Sequence, residues 1–103
     1  MEKYDNFVIY KISQIDDPEI CYIGSTTCFS RRKSQHKKNT NNRVSKKYKY
    51  PLYQYIRSLG GIQNFKFEII EKYPCKTKQE GLQREKELIN LHKSKLNINK
   101  PIK

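Results

Sequence analysis

The sequence predicts a small α/β domain: a three-stranded antiparallel sheet flanked by helices, in the order β-β-α-α-β-α. Three observations carry that expectation. Two runs of β-branched and aromatic residues near the N-terminus are separated by a turn. Three later segments show helical spacing of apolar residues beside capping or stop residues. One further alternating run falls between the second and third of those segments. The 103 residues suit a single domain over 1–103.

Phe7-Val8-Ile9-Tyr10-Lys11-Ile12 consists mostly of residue types that fit a pleated, half-buried surface, and reads as the first strand. Asp16-Asp17-Pro18 supplies a turn, and Ile20-Cys21-Tyr22-Ile23 returns antiparallel. The first helix follows Ser25-Thr26-Thr27, any of which can cap it, and runs to about Lys37. Phe29, Arg32 and His36 fall at i, i+3 and i+7 and share one of its faces. Residues 37–50 read as a flexible basic loop. Pro51 then opens a second helix, with Leu52, Tyr55, Ile56 and Leu59 on its apolar face and Gly60-Gly61 as its stop. Phe65-Lys66-Phe67-Glu68-Ile69-Ile70 begins with apolar/polar alternation and reads as the third strand. Thr77-Lys78-Gln79-Glu80 is a capping-box pattern, and the helix it opens is expected to turn Leu82, Leu88 and Ile89 inward.

Charge narrows the function. Lys and Arg number 22 against 10 Asp and Glu, a net +12. Residues 20–67 contain no acid at all, yet they hold Arg31, Arg32, Lys33, Lys37, Lys38, Arg43, Lys46, Lys47, Lys49, Arg57 and Lys66. A cationic field this concentrated points to a polyanion, since each phosphate neutralised releases counterions. The alternative is a solvated basic face that only keeps the chain soluble. Tyr48, Tyr50, Tyr53 and Tyr55 interleave with the cations, which suits a surface that tracks a phosphate backbone and stacks bases. Of these, Tyr48 and Tyr50 are the contact candidates, and Tyr55 is assigned to the core. No apolar run is long enough to span a membrane, and no secretory h-region is present, so the expected location is inside the cell. Cys21, Cys28 and Cys75 form no metal-ligand spacing with each other or with His36 and His92, and are expected to be reduced apolar fillers. His92 reads as a surface or capping residue at the end of the last helix.

Glu85 stands three residues after Leu82 and four before Ile89, on the apolar face of the last helix. A carboxylate there needs a partner: a metal ion, an arginine or a lysine. Arg32 and His36, at i and i+4, face one way. A guanidinium grips phosphate at two points, and an imidazole relays protons near neutrality. Tyr10 and Tyr22 taken alone are ordinary strand aromatics.

In combination these residues resemble a known family. Val8-Ile9-Tyr10, then Tyr22-Ile23-Gly24, with Arg32 eight residues and His36 twelve residues after Gly24, are similar to the GIY-YIG nuclease domain. Glu85-Lys86-Glu87-Leu88-Ile89 matches its E-x-x-x-I helical stretch, and Leu96-Asn97-Ile98 its C-terminal asparagine context. The resemblance extends over about residues 6–100. Val8 stands where the family's first tripeptide has glycine, and Leu96 where an aromatic is usual. The resemblance implies DNA phosphodiester hydrolysis with one divalent metal, Mg²⁺ with Mn²⁺ as the alternative. It also implies roles: Glu85 as metal ligand, Tyr10 as general base or water-positioning group assisted by His36, and Arg32 on the scissile phosphate. Tyr22 would touch phosphate or nucleophile, and Asn97 would orient the site. Arg31, Lys33, Lys37, Lys38, Arg43, Lys46, Lys47, Lys49, Tyr48 and Tyr50 are the expected DNA contacts. The alternative is a binding module of the same fold without the chemistry. A partner protein for targeting is compatible with a domain that has little besides its cleavage site to read bases.

Overall fold

The expected hairpin and third strand form one sheet whose order is β2-β1-β3, antiparallel throughout, with β1 (Val8–Gln14) between β2 (Cys21–Thr26) and β3 (Phe65–Lys72). This computed structural model describes residues 3–97. The helices are α1 (Phe29–Asn41), α2 (Pro51–Ser58) and α3 (Lys78–His92), so the predicted element order holds. A short 3-10 turn (Ile62–Asn64) leads into β3.

Register decides which side chains share a face. Tyr10 lies opposite Gly24 and Ile12 opposite Tyr22, so these four residues face one way. Ile9, opposite Ser25, faces the other way together with Ile23. The central strand therefore buries apolar residues on both faces. On the first, Tyr10 and Ile12 pack with Leu52, Tyr53 and Ile56 of α2. On the second, Ile9 and Ile23 pack with Phe7, Cys75 and Leu88 of α3. An irregularity in the β1–β3 pairing sets Ile9 opposite Glu71 but Tyr10 opposite Ile69, and the extra residue, Ile70, packs with the second core.

Four local expectations are corrected. First, α1 is capped by Cys28 and not by residues 25–27; the Thr26 hydroxyl instead accepts from the Cys28 amide at 3.0 Å. Cys28 is thus half-exposed at a helix start and not a core filler, and the Arg31 amide hydrogen-bonding its sulfur lowers the thiol pKa. Second, α1 runs on to Asn41, and the remaining loop is tied down. Thr40 is fully buried, its hydroxyl donating to the His36 carbonyl at 2.8 Å. Arg57 donates to the Thr40 carbonyl at 3.0 Å and the Tyr48 carbonyl at 2.7 Å, with its guanidinium 3.7 Å from the Tyr48 ring centroid. Residues 42–50 then proceed through successive turns, Asn42 to Ser45, Ser45 to Tyr48 and Lys47 to Tyr50.

Third, α2 buries Leu52, Tyr53 and Ile56, while Tyr55 is 37% exposed. Tyr53 turns inward because its hydroxyl finds buried partners. Fourth, Leu82 is 41% exposed, because α3 meets the sheet at Gly81. A Cβ at Gly81 would fall within 2.4–2.7 Å of Phe7 ring atoms, so this close approach is possible only for glycine. Thr77 caps α3 as expected, accepting from the Glu80 amide at 3.2 Å. Arg84 fastens the helix to β3 through a two-point ion pair with Glu71 (2.6 and 2.8 Å) and also reaches Glu87.

Candidate active site

The site is organised around the edge strand β2. Tyr22 and Gly24 face α1, whereas Ser25 faces α3. A Cβ on Gly24 would lie 2.5 Å from the Tyr10 hydroxyl oxygen and 2.9 Å from the Tyr22 ring, so the missing side chain lets both tyrosines pack against the strand.

Beneath β2 runs a chain of hydrogen bonds. The Tyr10 hydroxyl is 2.7 Å from His36 Nε2, and His36 Nδ1 is 2.9 Å from the Tyr53 hydroxyl. Asn39 donates to that hydroxyl at 3.3 Å and accepts from Ser45 at 2.5 Å. Burial, then the nearby charges of Arg32 and Lys47, pull the His36 pKa down from 6.5 to about 4, so the ring is neutral and carries one N–H. Burial first, and then Tyr22, hold Tyr10 protonated well above the ordinary range, and burial also raises Tyr53. The neutral ring therefore joins two protonated tyrosine hydroxyls, donating to one and accepting from the other.

Tyr10 is wholly buried. It lines neither of the two cavities that Tyr22 and Arg32 share. Tyr22 is the tyrosine that lines open space. Burial, with Glu85 next in weight, raises its pKa to about 12. Arg32 lies one turn before His36 on α1, with Nη1 3.5 Å from the Ser25 carbonyl oxygen.

Glu85 approaches from the opposite face of the sheet. Its Oε1 accepts from the Ser25 hydroxyl at 2.6 Å, and it lines a cavity of about 360 Å³ together with Ser25, Tyr22 and Arg32. The inward placement expected for this carboxylate is observed, and its hydrogen-bonding partner is a serine. Among the described residues no group of three or more His, Cys, Asp or Glu is assembled to hold a metal. The donor set is a single oriented carboxylate beside open space, which fits a hard cation whose shell is completed by phosphate oxygens and water.

Asn97 acts on β2 itself. Its amide donates to the Ile23 carbonyl and accepts from the Ile23 amide, both at 2.7 Å, and Ser94 also donates to its Oδ1 at 2.6 Å. Ile23 lies between Tyr22 and Gly24, so Asn97 is tied to the backbone of the strand that carries the site.

The expected DNA contacts divide. Lys47 and Tyr50 line a second cavity, of about 470 Å³, that shares Tyr22, Arg32 and His36 with the site. Lys33 and Lys37 line a separate recess above Phe65 and Phe67 of β3, with the Lys33 ammonium 5.7 Å from the Phe67 ring centroid. Arg31, Lys38, Arg43, Lys46 and Lys49 are exposed and line none of the three cavities. Tyr48 has Arg57 over its ring and helps to fix the loop. His92 is exposed in the last turn of α3.

Sequence reasoning missed Ser25, Tyr53 and Asn39. Strand alternation from Ile23 gives a signal for Ser25, since both must face the helix that carries Glu85. Tyr53 and Asn39 carried no such local signal.

Residues 6–98 match the family model of the GIY-YIG catalytic domain. Among solved structures, the chain is similar to the catalytic domain of the homing endonuclease I-TevI. The two are 24% identical, the match covers 90% of this chain and 95% of that one, and the TM-score is 0.72. No curated protein sequence matches the chain.

Proposed function

The chain belongs to the GIY-YIG catalytic-domain family, and from that premise we propose that it is an endonuclease hydrolysing DNA phosphodiesters with one divalent cation, Mg²⁺ or Mn²⁺. The observation that carries the reading is the meeting of Tyr22, Arg32 and Glu85 on one cavity, although they arise from opposite faces of the sheet.

In this reading Arg32 grips the scissile phosphate. Its fixed fork matches two phosphate oxygens and holds them as negative charge builds during attack. The Tyr22 hydroxyl, still protonated at neutral pH, donates to the phosphate or orients the attacking water beside it. Tyr10 and neutral His36 form the buried support of that tyrosine. Glu85, turned by Ser25, is the cation ligand. A bound cation supplies charge that polarises the phosphodiester and lowers the pKa of a coordinated water. One carboxylate holds such an ion weakly, so ion and DNA bind together. The exposed lysines and arginines of α1 and of residues 42–50 supply the phosphate contacts that set salt-dependent affinity.

The test is nicking of supercoiled plasmid with Mg²⁺ or Mn²⁺ by the parent and by Glu85→Gln and Arg32→Ala. Cleavage by the parent that disappears in both variants supports the reading. Equal cleavage by all three preparations assigns the activity to a contaminant. Salt-sensitive binding with no cleavage under either metal would favour a binding module of the same fold.

A further inference from the structure

A phosphate held at Arg32 has a sugar on each side, and the molecule has a cavity on each side to match. Tyr22 and Arg32 form walls of both. One is the Glu85 cavity. The other, about 470 Å³, lies between α1 and α2 and plays no part in the chemistry described above. Its volume is in the range of sites that enclose a small molecule. Tyr50 on its wall is 51% exposed, stacked at an interplanar angle of 23° on the buried Tyr53, with the Lys47 ammonium 6.0 Å from its ring centroid. The wall thus combines an accessible aromatic ring, a cation and, in Gln35 and Asn39, side-chain amides.

Regular duplex DNA does not fill such a recess. Its bases are stacked inside the helix, and it offers a protein surface only sugar, phosphate and groove edges. A base that has left the stack has both an aromatic face for Tyr50 and polar edges for the amides. We propose that this cavity is a nucleotide-binding site. It takes one unpaired nucleotide next to the phosphate held at Arg32, laying the base against Tyr50 and placing the following phosphate at Lys47. The inference rests on the nuclease reading and narrows its substrate to DNA with an unpaired or extruded nucleotide beside the cleavage position. Extruding a paired base costs a few kcal/mol and extruding an unpaired one much less, so the cavity itself selects the substrate.

The experiment measures binding of the full chain by fluorescence anisotropy in EDTA, where no cleavage occurs. Three DNAs are compared: a perfect duplex, the same duplex with a one-nucleotide bulge, and one whose bulged nucleotide lacks its base. The bulged DNA is expected to bind ~5- to 150-fold more tightly than the other two, the range of one base stacked on an aromatic ring. Tyr50→Ala should abolish that preference and Tyr50→Trp should keep it. Because Tyr50 is half-exposed and its carbonyl, which accepts from the Tyr53 and Gln54 amides, is kept in the alanine variant, that variant should fold; circular dichroism checks this. Equal affinity for the base-bearing and base-lacking bulges overturns the proposal, as does an undiminished preference in Tyr50→Ala. If either occurs while the parent still binds duplex and cleaves plasmid, the cavity inference alone fails. If the parent binds none of the DNAs, both readings fail.

Discussion

Burial of His36 gives the fold an acid weakness that can be measured. Its pKa falls from 6.5 to about 4 because the ring sits among Tyr10, Tyr22, Tyr53 and Phe67, with Arg32 and Lys47 adding repulsion to the charged form. Between those two pH values the unfolded chain binds a proton that the folded chain refuses, so stability falls as pH drops through 6.5 and stops falling from this source near 4. At 1.36 kcal/mol per pKa unit the loss amounts to about 3 kcal/mol, a large part of the stability of a small domain. Glu71 adds to acid sensitivity: its pKa is lowered by Arg84, so its contribution is present above its ordinary carboxylate value and is lost as pH falls further. Comparing the parent with His36→Gln cancels that second effect. Urea unfolding across pH 4 to 8 should show the variant less stable at pH 8 but with a shallower acid decline, the two curves converging by about 3 kcal/mol. Parallel curves would refute the assignment of a neutral buried imidazole.

The remaining predictions concern the residues that frame β2. Removing the hydroxyl that orients Glu85, in Ser25→Ala, should raise the Mg²⁺ concentration for half-maximal cleavage by about tenfold, read from a metal titration at fixed DNA. In Gly24→Ala the new Cβ meets Tyr10 and Tyr22; overpacking of this kind should cost about 1–3 kcal/mol in denaturant and lower the cleavage rate under conditions where the variant is fully folded. Asn97→Ala leaves the Ile23 amide and carbonyl without their partner, at a cost of about 1–3 kcal/mol. Amide exchange there should accelerate while that of β1 and β3 changes little.

The order of elements was legible because its signals are local. A turn, a first-turn proline, a double glycine and a capping threonine each act within a few residues of themselves. Helix rotation was not legible. Tyr55 and Leu82 fit the apolar spacing as well as Tyr53 and Gly81 do, and what decided between them was tertiary: hydrogen-bond partners for one hydroxyl and the Phe7 ring above one glycine. The extent of α1 was missed for the same reason, since its last turn depends on Arg57, seventeen residues from the Thr40 carbonyl it holds. In the site, the inward turn of Glu85 could be read from periodicity. The unequal situations of the two tyrosines could not, because Tyr10 and Tyr22 have similar strand contexts and differ in that one strand is central and the other is at the edge.

That edge position accounts for the architecture of the site. Side chains on opposite faces of a sheet are kept apart by the sheet itself, and around a central strand Tyr22 and Glu85 would never meet. Around an edge strand they do, because among the described residues no further strand blocks the passage between the faces. An open edge also leaves backbone groups unpaired and free to recruit another strand. The described C-terminal residues answer both demands: the Asn97 side-chain amide pairs with Ile23 as a further strand would, and the Leu96 amide donates to the Cys21 carbonyl at 2.9 Å. A full fourth strand would have satisfied the backbone and closed the passage. Among the described residues, Leu96 and Asn97 satisfy it at Cys21 and Ile23, and Tyr22 and Glu85 still share one cavity.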